Sequence, residues 1–203
     1  MKIKSAEFLT SATNLRNCPH AALPEFAMIG RSNVGKSSLI NMLTERRGLA
    51  KVSATPGKTR LMNFFTINTT NSAAGNWTLV DLPGYGYAKV AQEKRADFNE
   101  AVASYIEERE NLLCVFVLID SRLEPQRIDI DFIQWLGERD MPHAIIFTKT
   151  DKQSPAATRA NVDRFKQALS AWRSDLPPCF LSSSTTKAGR GEILRFIEQT
   201  AAA

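Results

Sequence analysis

The stretch Gly30-Arg31-Ser32-Asn33-Val34-Gly35-Lys36-Ser37 matches the pattern G-x-x-x-x-G-K-[ST] at every fixed position. Its flanks suit that pattern. Residues 25–29, Glu-Phe-Ala-Met-Ile, form a short apolar run that reads as a buried strand, and residues 38–44, Ser-Leu-Ile-Asn-Met-Leu-Thr, have helical spacing. Strand, glycine loop and helix in that order build an anion site. Gly30 and Gly35 lack a Cβ, so the backbone can curl until its N–H groups converge on phosphate oxygens. The helix N-terminus adds its dipole at the same point. In such a loop Lys36 reaches the β- and γ-phosphates and the Ser37 hydroxyl binds Mg²⁺. A bare glycine turn leading into a helix is the plainer alternative, and the full octet with both flanks argues against it.

Working outward, apolar runs alternate with helical patterns. Residues 61–67 and 77–81 are apolar runs joined by 68–76, which is rich in Asn, Thr and Gly; this predicts an antiparallel hairpin. The continuous apolar run 112–119 reads as a central parallel strand, and 143–147 and 178–181 read as further strands. Helices are predicted over about 92–109, over 125–139 with Ile128, Phe132, Trp135 and Leu136 on one face, from 154 or 155 to about 172, and from 190 to about 200. The expected fold is α/β: a mostly parallel central sheet, one antiparallel hairpin strand, and helices on both faces. Residues 1–24 read as an N-terminal extension, with an extra strand over 2–9 and connecting chain over 10–23. Residues 25–203 read as one nucleotide-binding domain.

With 203 residues, 43% hydrophobic and 23% charged, the chain has the composition of a soluble globular domain. No apolar run approaches the roughly 20 residues that span a bilayer. Ser5, Ala6 and Glu7 follow the basic start where a signal peptide would place apolar residues, so no signal peptide and no membrane partner are expected. Cys18, Cys114 and Cys179 are scattered and odd in number, and the two histidines cannot complete a zinc cluster. This points to a cytoplasmic protein. The net charge of +5 mildly favours anionic partners.

In open α/β sheets ligands bind at the carboxyl ends of the strands, and the remaining polar motifs fall there. Asp81-Leu82-Pro83-Gly84 ends one strand: its acid can hold Mg²⁺ through water, and the Gly84 N–H can meet a γ-phosphate. Thr148-Lys149-Thr150-Asp151 ends another. A carboxylate at Asp151 can accept from both N1–H and the 2-amino group of guanine, a donor pair that adenine lacks. The Lys149 stem can lie along the ring. Thr148 stands where the commoner motif has Asn. In Ser182-Ser183-Ser184 a backbone N–H can meet guanine O6, with the register open by one. Thr59 and Thr55 compete as a second Mg²⁺ ligand. Trp77, Trp135 and Trp172 read as core, His20 and His143 as structural.

Taken together, these five stations resemble a translation-factor-type small GTPase, which implies a Ras-like G domain. The spelling of residues 30–41, 55–60 (Thr-Pro-Gly-Lys-Thr-Arg), 81–88 (Asp-Leu-Pro-Gly-Tyr-Gly-Tyr-Ala) and 183–194 is similar to the EngB family, also called YsxC or YihA. The likeness runs from about residue 5 onward. It implies a GTPase that binds GTP and GDP with Mg²⁺ and acts in assembly of the large ribosomal subunit, with a need in cell division and septation; a monomer is expected. It also implies that Thr59 is the Mg²⁺ ligand, and that Gly57, Lys58, Thr59, Arg60 and Leu61 form a switch closing on the γ-phosphate.

Many small GTPases place a water-orienting Gln after Asp-x-x-Gly, whereas Tyr85 stands here and no arginine finger is evident. Slow hydrolysis is therefore expected. Asn33 either braces the loop or helps hold a K⁺ ion, as related GTPases with Asn at this position do. Residues 45–60 carry Arg46, Arg47, Lys51, Lys58 and Arg60 against Glu45, and with Tyr85 and Tyr87 they suggest an RNA-binding surface of cations and rings. The rival readings are a small-metabolite kinase, which has no use for Thr148–Asp151, and a division scaffold that binds nucleotide without turnover.

Overall fold

The computed structural model describes residues 1–51, 61–69, 75–85, 100–172 and 174–202. Among them the strands are β1 (Ala6–Ala12), β2 (Glu25–Gly30), β3 (Met62–Ile67), β4 (Trp77–Asp81), β5 (Leu112–Asp120), β6 (His143–Thr148) and β7 (Cys179–Leu181). The helices are α1 (Lys36–Thr44), α2 (Glu100–Glu108), α3 (Arg127–Gly137), α4 (Pro155–Ser170) and α5 (Arg190–Ala202). One seven-stranded sheet runs in the order β1-β3-β4-β2-β5-β6-β7. β3 is antiparallel to both β1 and β4, and all other pairings are parallel, so β3 alone runs against the rest. The expected hairpin and mostly parallel sheet are both present.

Two apolar layers explain this arrangement. Strand side chains alternate between faces. Ala27, Ile29, Val115, Val117 and Ile119 face one core with Val102 and Tyr105 of α2, Phe132 and Leu136 of α3, and Phe165 of α4. Phe26, Met28, Cys114, Phe116 and Leu118 face the other, with Leu39 and Leu43 of α1 and Ile193 and Ile197 of α5. Central strands covered on both faces must be apolar throughout, and β5 is buried along almost its full length. Each fully buried Phe, Leu or Ile contributes roughly 1.5–3 kcal/mol. Trp77 is fully buried, packed edge-on against Phe26 at 5.6 Å. Trp135 packs against the core only in part, with the Arg139 guanidinium 4.6 Å from its ring centre.

The N-terminal strand lies later than predicted: residues 2–5 are outside it, and it spans Ala6–Ala12 instead of 2–9. It runs to Ala12 because β3 offers it a ladder, Ala6 opposite Ile67 and Ala12 opposite Met62, with a register shift between Phe8 and Thr10. Cys179 is half-buried, because β7 lies at the sheet edge. The helix predicted from about 92 is described only from Glu100. α4 starts on the expected signal: Ser154 Oγ accepts from Ala157 N at 3.2 Å and Pro155 follows. At the end of the sheet away from the phosphate loop, Glu25 is buried and receives Tyr105 Oη at 2.6 Å and Arg109 Nη2 at 2.6 Å, which ties α2 to the start of β2. Among the described residues no helix is long and apolar enough to cross a membrane.

Candidate functional site

The phosphate loop leaves β2 at Gly30 and enters α1 at Lys36. Asn33 (φ 60°) and Gly35 (φ 103°) turn the chain through left-handed conformations, which Asn tolerates and Gly adopts freely. Val34 N donates to Arg31 O at 3.2 Å and closes the curl. The N-cap of α1 is Gly35, which has no side chain to cap the helix, and an N-terminus of this kind suits an anion. Lys36 Nζ donates to the Asp81 carboxylate at the carboxyl end of β4, and both side chains are largely buried. Ser37 is half-buried one residue on. An ammonium, an uncapped helix end, a hydroxyl and a carboxylate suit a triphosphate with Mg²⁺, whose hard charge prefers oxygen ligands. Gly84 lies so close that a Cβ there would sit 2.5 Å from Gly30 O, so only glycine lets this segment rest on the loop. Leu82 supports the site from behind: its side chain is in the core and its N–H bonds Met28 O at 3.0 Å. Pro83 is buried between Leu82 and the exposed Gly84.

The Thr148–Asp151 segment is bolted to this loop. Thr148 Oγ1 lies 2.6 Å from Val34 O and 3.2 Å from Ile119 O. The substitution of Thr for the commoner Asn therefore keeps a side-chain tie to the phosphate loop. Lys149 (φ 60°) donates from Nζ to Asn33 O at 2.5 Å and to Asp120 Oδ2 at 2.9 Å, and its stem runs past Gly35. Thr150 Oγ1 donates to Ser182 O at 3.1 Å. Asp151 Oδ1 accepts from Ser183 Oγ at 2.7 Å. That bond, with Lys152 beside it, holds the Asp151 carboxyl below the usual carboxylate range.

The register of the serine station follows from its bonds. Ser182 N donates to Phe147 O at 2.8 Å and Ser183 N to Ala188 O at 3.3 Å, while Ser183 Oγ accepts from Thr185 N and Thr186 N. The N–H groups of Ser182 and Ser183 are thus engaged, and Ser184 is exposed.

Three residues were missed or misread in the sequence. Asp120 ends β5 and takes a bidentate pair from Arg122, 2.9 and 2.8 Å, besides Lys149. Burial opposes its ionisation, but the bonds from Arg122 and Lys149 prevail and bring it to about 2. An acid closing an otherwise apolar strand was the available signal. Asp129 is buried in the first turn of α3, on the face of Phe132, Ile133 and Leu136. Its signal was a carboxylate on an apolar face. Burial raises it to about 6, against the Tyr85 hydrogen bond and the Arg31 charge. Tyr85 corrects an expectation: it is not an exposed ring for an unpaired base. Its hydroxyl donates to Asp129 Oδ1 at 2.9 Å and its ring stacks on Phe132 at 4.6 Å, because this position falls against α3. Arg31, Ser32, Asn33 and Val34 line a cleft with Leu118, Asp120, Leu123 and Asp129. Thr55, Gly57, Lys58, Thr59, Arg60 and Tyr87 lie outside the described residues; Leu61 is described and exposed.

A phosphate loop and a carboxylate-bearing base station, joined through Thr148 and Lys149 at the carboxyl edge of a parallel sheet, define a P-loop GTPase domain. The family described as "50S ribosome-binding GTPase" matches residues 25–149. The chain is 52% identical over 199 residues to a "Probable GTP-binding protein EngB" of Christiangramia forsetii, covering 98% of this chain and 97% of that one. It is 53% identical over 198 residues to the same-named protein of Bacteroides thetaiotaomicron, covering 98% and 95%. Among solved structures, a probable GTP-binding protein EngB superposes with a TM-score of 0.64 at 21% identity, covering 88% of this chain and 98% of that one. An Era protein of Aquifex aeolicus superposes with a TM-score of 0.67 at 22% identity, covering 87% and 56%. The chain belongs to the EngB family of GTP-binding proteins. This membership sets the small-metabolite kinase aside.

Proposed function

We propose that this chain is a slow, partner-stimulated GTPase switch that acts with Mg²⁺ in the cytoplasm, in assembly of the large ribosomal subunit, and that it is also needed for normal division and septation. The observation that carries the ribosomal reading is the loop after α1. Asn41 pins it at Ala50, Nδ2 to the carbonyl at 3.0 Å and Oδ1 from the N–H at 2.8 Å, while Arg46, Arg47 and Lys51 stand exposed on it. Exposed cations on a loop that precedes, in sequence, the segment proposed as the γ-phosphate switch suit RNA phosphates, and the family's description points the same way.

In the proposed cycle Asp151 and Ser184 select guanine. Lys36 and the Gly84 N–H stabilise the charge that develops on the γ-phosphoryl oxygens. Ser37 and Thr59 would hold Mg²⁺, which would supply neutralisation of phosphate charge. Tyr85 donates its hydroxyl to Asp129, so it is not available to orient a water, and hydrolysis is slow without a partner. Asn33, exposed on the loop, is the proposed K⁺ contact. Large-subunit pull-down by GTP-loaded and GDP-loaded protein tests the whole reading. Binding should require GTP and fall steeply with salt, and Arg46→Glu with Lys51→Glu should weaken it while sparing nucleotide affinity. Equal capture in both nucleotide states, or by the double variant, would refute it.

A further inference from the structure

We infer that Asp120 is a positioning residue for nucleotide retention: it holds the Lys149 ammonium under the phosphate loop so that the Lys149 stem stays against the base. The inference rests on the guanine-nucleotide reading of this site and assigns a role to a residue that no motif contains.

The geometry is a three-way junction. Lys149 must reach two partners from a left-handed backbone, Asn33 O at 2.5 Å in the phosphate loop and Asp120 Oδ2 at 2.9 Å at the end of β5. Asp120 stands directly opposite Thr148 in the parallel β5–β6 ladder, so the carboxylate and Lys149 leave adjacent strand ends side by side. The Lys149 side chain is only 25% exposed, and a carbonyl alone cannot balance an ammonium withdrawn that far from water. Asp120 supplies the counter-charge. Arg122 makes the counter-ion rigid, gripping both carboxylate oxygens through Nε and Nη2 while its backbone N–H lies 3.2 Å from Oδ1. A carboxylate so anchored leaves Lys149 one low-energy place for its ammonium, directly beneath Asn33. Without it the ammonium turns toward solvent, as long cationic side chains do, and the stem swings with it.

This role has a signature. A stem lying on a ring is indifferent to the groups at the ring's edge, whereas Asp151 reads that edge. Losing Asp120 should therefore speed release of GDP and of IDP, which lacks the 2-amino group, by the same factor.

The test is displacement of fluorescently labelled GDP and IDP from the full chain, followed by stopped flow. Asp120→Ala should accelerate release of both by about tenfold, the scale of a lost charge-assisted hydrogen bond. Asp120→Asn, which keeps an acceptor without the charge and guards against a folding defect in the alanine variant, should fall between parent and alanine. In a Lys149→Met background, which retains the stem without the ammonium, Asp120→Ala should add nothing. Parental release rates in both single variants would overturn the inference. So would an equal acceleration in the Lys149→Met background, because Asp120 would then act through Arg122 and the β5–α3 turn alone. A parent protein that retained no labelled GDP would instead sink the nucleotide reading, and this inference with it.

Discussion

On one flank of the phosphate loop, at Thr148–Asp151, every polar side chain is committed to a partner: Val34 O, Asn33 O with Asp120, Ser182 O and Ser183 Oγ. On the other flank, where Lys36 also meets Asp81, one contact is the Tyr85–Asp129 pair, whose carboxyl sits at about 6 and so changes charge near neutral pH. The first flank is a set of bonds in which the Asp151 and Asp120 carboxyls are both held below the usual carboxylate range. The second responds to its surroundings. A nucleotide switch needs both, since base recognition must not vary while the γ-phosphate side must.

The largest expected effect is at the fixed flank. Asp151→Asn leaves the guanine donors without their acceptor and should lower GTP affinity about a hundredfold while admitting xanthosine triphosphate. Titration with labelled GTP, XTP and ATP checks this, and equal parental affinity for GTP and ATP would break the contrast.

Next comes the charge of the responsive flank. Asp129 titrates at about 6 in the fold against 3.8 for the unperturbed carboxyl. Its folded form binds the proton more tightly than the unfolded chain does. Its contribution to stability is therefore complete below about pH 4 and is lost as pH rises through 6, a difference of about 3 kcal/mol. Asp129→Asn removes that dependence and can still accept from Tyr85. The variant should exceed the parent by about 2 kcal/mol at pH 8 and match it near pH 4, by urea unfolding at both values. Parallel pH profiles would mean that Asp129 is no more responsive than Asp151.

A smaller loss is expected from Thr148→Val, which keeps the volume and removes the hydroxyl. Val34 O loses its donor, at a cost of about 1–2 kcal/mol in thermal unfolding, and nucleotide release quickens. An unchanged melting curve would show that the Thr148 tie does not stabilise the fixed flank.

Tyr85→Phe should do least to chemistry. The hydroxyl is turned into α3, so single-turnover GTP hydrolysis should stay within about twofold of the parent. The Asp129 carboxyl, without its donor, should titrate higher still. A large fall in hydrolysis would place Tyr85 at the attacking water and reverse its assignment.

Most of the fixed flank is legible in the order of residues alone, because each station is a contiguous run at a strand end. Thr148–Asp151 and Asp81–Gly84 follow apolar strands by one step, so local order puts them near the ligand edge. The serine register is not legible in that way. Three identical residues differ only in which N–H groups the ladder and the Ala188 turn consume. The reach of β1 to Ala12 is hidden for a similar reason, since its ladder partner lies in β3.

By itself the sequence determined the phosphate loop, the mostly parallel sheet with its single reversed strand, and the strand-end position of the segment proposed to read guanine, because periodicity and loop chemistry act over a few neighbouring positions. Only the tertiary structure decided that Asp120 answers Lys149 across 29 residues and that Tyr85 is spent on Asp129 across 44. A carboxylate has the same letter whether it faces water or a core. Its charge, partner and role follow from the desolvation and counter-ions that packing supplies.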